Sequence, residues 1–254
     1  TLCAIFEEKI VNILKMKNHN QELFETIKKF KKIFKREYKF LPVAKEEDVI
    51  LFENKFKVKL PNDYRWFLIN IANGIISKKD WNFNKLDKID FKNYWHNEEY
   101  NPSVNFKLNK KVIFHNPKDF GNYPYETYVC DDTKSDEEFF YLNDGFKSGV
   151  IHLCGYGCGT CSMIVVNGEE YGNVWTEDIA SNDEVYPEYE IENNKNRMNF
   201  NDWIIMRLNH EIKMHYLILE SEKRERELKK ELGEWNIFDE ILYYLKNLWN
   251  KIIN

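Results

Sequence analysis

Between Leu60 and Gly74 the chain reads LPNDYRWFLINIANG, a segment that leaves little choice of secondary structure. Tyr64, Phe67, Leu68 and Ile71 recur at three- and four-residue steps, the spacing that gathers apolar side chains on one face of a helix. Pro61 suits the first helical position, where a backbone N–H would find no acceptor within the helix and the fixed φ is already helical. Asn73-Gly74 supplies residues able to take the left-handed conformation that closes a helix. The segment therefore predicts a helix from Pro61 to Asn73-Gly74, with a buried stripe that other elements must cover.

Those elements are legible on both sides. Leu23, Phe24, Ile27, Phe30, Ile33 and Phe34 predict a helical arm, which Leu41-Pro42 ends. A second helix is expected over about residues 45–56, with Val49, Phe52 and Phe56 on one side. Downstream the pattern changes to short apolar runs: Lys111–Phe114, Thr127–Cys130, Phe139–Leu142, Val150–Cys154, Cys161–Val166 and Asn173–Thr176. Asn143-Asp144-Gly145 and Asn167-Gly168 mark turns, the second with the composition of a two-residue hairpin. Strands joined by short turns after helices predict an α+β fold, an antiparallel sheet with helices packed on one side. Trp66, Trp175 and Trp203 lie in periodic apolar segments and are expected in the core.

Helical pattern returns with Phe200, Trp203, Ile204 and Leu208, and continues through the charge-alternating stretch Leu217–Leu232. Gly233 is expected to break it before an amphipathic last helix, Ile237–Ile253, which needs an apolar surface from its own domain or a second subunit. The organisation predicted is a helical N-terminal extension (1–40), an α+β domain (43–208) and a helical C-terminal extension (209–254).

With 254 residues, 43% of them hydrophobic, the chain has material for a sizeable core. No apolar run approaches the roughly 18 residues of a membrane span. Glu7 and Glu8 interrupt the stretch where a signal peptide needs apolar residues. Five Cys without framework spacing fit a reducing compartment, so a cytoplasmic location is expected. The net charge of −5 conceals a division: residues 1–59 hold 14 basic and 9 acidic side chains, whereas residues 118–192 hold 17 acidic and 3 basic ones. Such a field repels nucleic-acid backbones and draws in basic partners.

Cys154, Cys158 and Cys161, with His152 nearby, could be taken for zinc ligands, and His152 and Cys154 would share a face of a regular strand. The paired Cys-x-x-Cys knuckles of structural zinc sites are missing, so buried structural thiols, no metal and no cofactor are expected. Gly155-Tyr-Gly157-Cys-Gly159 opens a strand instead of a helix, which excludes a phosphate-cradling reading; its glycines are expected to turn the chain tightly. Nothing in the sequence brings a thiol beside a histidine base, so no nucleophilic site is assigned. Asp131–Glu138 fails as a calcium loop, because its sixth position is Asp136 where Gly is needed, and its twelfth is Leu142 where Glu is needed.

Two blocks taken together resemble the SUKH superfamily, which unites yeast cell-wall regulators with many bacterial toxin-immunity proteins. The first runs from Glu46 through Leu60-Pro61-Asn-Asp-Tyr64-Arg-Trp-Phe67-Leu68 to Ala72-Asn73-Gly74. The second runs from Gly157-Cys-Gly159 through Val165-Val-Asn-Gly168-Glu-Glu-Tyr-Gly172-Asn-Val-Trp175 to Asp178, and Phe200-Asn-Asp-Trp203 resembles the helix that usually ends the domain. The likeness covers about residues 43–208 and is poor across the insert at 80–135. It implies an α+β domain without catalytic residues that acts by binding protein, in bacteria commonly a toxin. Together with the charge count it predicts a non-enzymatic immunity protein whose partner is a basic cognate toxin. Asp131, Asp132, Asp136, Glu137, Glu138, Glu169 and Glu170 are the expected contacts. An intracellular regulatory scaffold is the alternative, and a homodimer through the terminal helices is a further expectation.

Overall fold

The computed structural model describes residues 19–78, 81–89, 92–93, 98–113, 127–129, 146–157, 159–182, 184–189, 196–234 and 236–253. The chain forms two compact units, Thr1–Met206 and Arg207–Asn254. In the first, helix α1 (residues 19–33) is followed by β1 (Tyr38–Phe40), α2 (Glu46–Phe56), α3 (Asn62–Asn70), β2 (Ile75–Ser77) and β3 (Asn82–Phe83). A 3-10 turn (Leu86–Lys88) leads to the small pair β4 (Lys92–Asn93) and β5 (Glu98–Glu99), then to β6 (Lys111–Ile113) and β7 (Thr127–Val129). The long strands β8 (Val150–Gly157), β9 (Thr160–Val165) and β10 (Val174–Asp178) come next, then the one-turn α4 (Ile179–Asn182) and β11 (Glu184–Pro187). Helix α5 (Phe200–Glu231) begins in this unit and carries the chain into the second, which ends in α6 (Ile237–Ile253).

Among the described residues the main sheet has nine strands in the order β1-β2-β3-β8-β9-β10-β11-β6-β7. Every pairing is antiparallel except β6 with β7. Residues directly opposite in a ladder share a face of the sheet. The register His152↔Met163, Met163↔Trp175 and Glu177↔Val185 therefore puts these side chains on one side. There Met163, Val165, Trp175, Val185, Val112 and Val150 form a core with Tyr100, Phe106, Leu108 and Phe146 from the loops. On the opposite side Phe83 meets Tyr64 and Phe67 of α3 and Phe200 and Trp203 of α5, with ring centroids 5.4–6.5 Å apart. Helices thus cover one face and loops the other, the α+β arrangement expected. Trp175 and Trp203 are fully buried as expected, whereas Trp66 is only half-buried and packs edge-on against the exposed Phe24 at 5.5 Å.

The N-terminal arm is part of this packing. Leu23, Ile27, Phe30 and Phe34 are buried, and Phe30 lies 4.7 Å from Phe34 and 4.9 Å from Tyr38. In the second unit Gly233, with φ +72, separates α5 from α6 as expected. Lys230 pairs with Glu240 at 3.0 Å and the Arg226 guanidinium lies 4.2 Å over the Tyr243 ring, joining the two helices.

Several local expectations need correction. Pro61 is the N-cap of α3 and not its first helical residue, with ψ at 140°. The helix closes at Ile71, before Asn73-Gly74, because the following residues find partners outside it. The Asn73 N–H donates to Pro42 O (3.2 Å), and its side-chain oxygen accepts the Leu86 N–H (2.9 Å). The left-handed helix end belongs instead to Lys57, φ 54, at the close of α2. Asn167-Gly168 is no two-residue hairpin, since β9 stops at Val165 and β10 starts at Val174. The tight reversal is the earlier one, where Gly157 pairs with Thr160 and Gly157 and Gly159 have φ of +86 and +83. Strands β1, β2, β3 and β11, two to four residues long, are not among the strands the sequence predicts. Phe139–Leu142, Asn143-Asp144-Gly145 and the acidic loop Asp131–Glu138 lie outside the described residues.

Candidate functional site

Strands β8, β9 and β10 bring three unlike side chains together on the loop-covered face. His152 pairs in register with Met163, Cys161 with Glu177, and the sheet spacing then draws His152, Cys161 and Glu177 into one cluster. The Glu177 Oε2 atom lies 3.6 Å from Cys161 Sγ and 4.0 Å from His152 Nε2. One donor atom from each of the three residues falls within 4.8 Å of the others. The Tyr100 hydroxyl donates to the same Glu177 oxygen at 2.8 Å, and its ring stands edge-on to the imidazole at 4.4 Å. Burial lowers the His152 pKa to about 4, so the imidazole is neutral at physiological pH. Burial, followed by the nearby Glu177 and Cys154, pushes the Cys161 thiol well up. A thiol held protonated is a poor nucleophile, which argues against thiol catalysis here; imidazole, carboxylate and the thiol once deprotonated are donors of the kinds a transition-metal cation takes.

This cluster differs from the one the Cys spacing suggests. An extra residue in β8 shifts its register between His152 and Cys154, so that Cys154 pairs with Ser162 and leaves the His152 face. Cys158 lies outside the described residues. Glu177 sits 25 positions from His152 in sequence, so no motif marks it as a ligand; only the ladder joins them.

The other face of β9–β11 carries a polar network. Tyr156 Oη and Ser162 Oγ are 2.8 Å apart, Ser162 Oγ and Thr176 Oγ1 3.1 Å, and Thr176 donates to Glu188 at 2.6 Å. Thr160 donates to Asp178 at 2.6 Å, and Lys111 pairs with Glu184. The Tyr186 hydroxyl among them is driven upward in pKa by burial first and by Glu188, Asp178 and Glu184 after it. Three carboxylates, with one lysine paired to one of them, make this patch electronegative.

Of the expected contacts, Glu169 is exposed in the connection between β9 and β10. Glu170 is half-buried: Arg197 Nε donates to it at 3.2 Å, Trp175 Nε1 at 3.3 Å and Asn173 Nδ2 at 3.0 Å. The Arg197 guanidinium also lies 4.7 Å over Tyr189 and 5.6 Å over Trp175, so Glu170 joins the turn to the core. Asp131, Asp132, Asp136, Glu137 and Glu138 fall outside the described residues.

The helix at Leu60, the reversal at Gly157–Thr160, the Gly172–Trp175 strand start and the Phe200–Trp203 helix thus occur in one domain. Residues 43–206 match the SMI1 / KNR4 family (SUKH-1). The chain belongs to this family. The match opens after β1 and ends in the second turn of α5, so SUKH-1 membership covers both faces of the sheet and the His152 cluster. No curated protein and no solved structure matches the chain. Membership supports a role at the family level, toxin immunity or regulation. Among the described residues no helix is long and apolar enough to cross a membrane.

Proposed function

We propose that this SUKH-1 protein is a bacterial immunity protein that neutralises a basic cognate toxin, of which a nuclease is one class, by direct binding in the cytoplasm. In this reading it performs no catalysis and does not bind nucleic acid or membrane. One observation carries the proposal: 17 acidic against 3 basic side chains across residues 118–192. Negative charge on that scale speeds encounter with a basic protein and disfavours phosphate backbones. Exposed Glu169, with Asp131, Asp132, Asp136, Glu137 and Glu138, supplies the contacts; Glu170 adds to the field while tied to Arg197. Asp178, Glu184 and Glu188 extend the acidic character onto the sheet.

Co-expression with the toxin encoded beside it tests the proposal. Growth should be rescued, and a complex should survive size-exclusion chromatography at low salt. Unabated killing with no complex would sink the proposal. The second reading, a regulatory scaffold, is favoured by α6, where Ile237, Phe238, Leu242 and Tyr244 are each more than 60% exposed. A homodimer through the terminal helices belongs to either reading, and sedimentation would reveal it. Recovery of several unrelated proteins, and no toxin, in a pull-down would favour the scaffold.

A further inference from the structure

We propose that His152, Cys161 and Glu177 form a zinc site, with Tyr100 holding the carboxylate in place. The three residues come from three adjacent strands and offer the nitrogen, sulfur and oxygen donors that zinc takes. Tetrahedral zinc with ordinary bond lengths sets its ligand atoms roughly 3.3–3.6 Å apart. The Cys161–Glu177 separation, 3.6 Å, already has that span; His152 stands 4.0 Å from Glu177 and all three donors lie within 4.8 Å of one another, so the His152 side chain closes in by roughly 1 Å on binding.

A second observation points to a ligand. His152 Nε2 is buried and has no hydrogen-bond partner among the described residues, although it faces the Glu177 carboxylate. Leaving such an atom unpaired is costly, and a bound cation satisfies it. Tyr100 supplies the outer support that zinc carboxylates usually have, donating to Glu177 Oε2 while its ring fixes the edge of the imidazole. On binding, the Cys161 thiol loses its proton to solvent and zinc takes its place. The consequence for the fold is a clamp across β8, β9 and β10 that also fastens the Tyr100 loop.

The test uses the full chain, stripped with chelator and titrated with zinc against a chromogenic competitor. One equivalent should bind with submicromolar affinity. His152→Gln and Cys161→Ser should each weaken binding at least 100-fold, and Tyr100→Phe roughly 10-fold. Cobalt in place of zinc should give a sulfur-to-metal charge-transfer band and tetrahedral visible bands that disappear in Cys161→Ser. Absence of stoichiometric binding to the unaltered chain overturns the proposal, as does a cobalt complex without the thiolate band. Undiminished affinity in both ligand variants, with far-ultraviolet circular dichroism unchanged, would also overturn it, by placing the ion elsewhere.

Discussion

At Gly149 and Gly168 a single methyl group decides whether the Tyr100–Leu108 loop can lie on the sheet. A Cβ on Gly149 would stand 2.4 Å from the Phe106 N, and one on Gly168 2.7 Å from the Phe106 O, and both residues have positive φ. Both obstacles are backbone atoms of the loop that carries Phe106 onto Trp175, so neither can swing aside. Gly149→Ala should therefore destabilise the domain by about 2–3 kcal/mol, seen as a lower urea midpoint with an unchanged slope. The opposite sign is expected at Lys57, whose left-handed φ of 54 closes α2 without a glycine. Lys57→Gly should stabilise by about 0.5–1 kcal/mol in the same assay, since the strain relieved exceeds the added chain entropy. Asp63 gives a pH signature. Burial outweighs the N–H groups of Tyr64 and Asn201 that donate to its carboxylate and raises its pKa above 3.8. A folded-state pKa above the unfolded one means the folded chain keeps the proton longer. The stability Asp63 contributes is thus present at low pH and falls as pH climbs from about 3.8 through the raised value. In Asp63→Asn that fall should be missing when urea midpoints are compared between pH 4 and 6.

At the level of elements, length is a poor guide to importance. Strand β3 has two residues, yet Phe83 sits among the rings of Tyr64, Phe67, Phe200 and Trp203. Phe83→Ala should cost about 3–5 kcal/mol in urea denaturation, the range for an aromatic removed from a packed core. A buried carboxylate ties α2 to the chain entering α3 and to α3 itself: Glu53 Oε1 accepts the Leu60 N–H at 2.8 Å, with Lys59 3.9 Å from Oε2 and Arg65 3.8 Å from Oε1. Glu53 also lies one helical turn before Lys57, whose N–H bonds back to the Glu53 carbonyl. The sequence showed α2 and α3 by their periodicity, and it placed β6 to β10 from their apolar runs. It did not show β1, β2, β3 or β11; β6 and β7, three residues each, are as short as β1 and β2 and were legible because their apolar runs extend one residue beyond the strand.

The whole molecule is divided by charge as well as by contacts. Residues 1–59 carry a net +5 and residues 118–192 a net −14. Association with a basic toxin should consequently slow roughly tenfold or more between low and high salt in stopped-flow measurements, while dissociation changes less. Replacing Glu169 with Lys should slow association without altering thermal stability, because Glu169 is exposed. Glu170→Lys should slow association and also lower thermal stability, because its carboxylate holds Arg197 against Trp175. The two residues are adjacent in sequence and chemically alike, and only their surroundings separate a surface charge from a structural one.

Periodicity, apolar runs and charge counts are properties of the chain itself. They determined the α+β class, the α3 helix, the β8–β10 strands, the break at Gly233 and the acidic block. Helical and strand spacing are imposed by backbone geometry, and net charge is a sum that folding does not change. Tertiary structure decided everything that depends on register and on which loop meets which strand. It ended α3 at Ile71, because Asn73 bonds to Pro42 and Leu86. It moved the tight hairpin to Gly157–Thr160, and it turned Cys154 away from His152 through one extra residue in β8. By the same ladder it set Glu177 beside Cys161, so a carboxylate no motif contains completes the cluster.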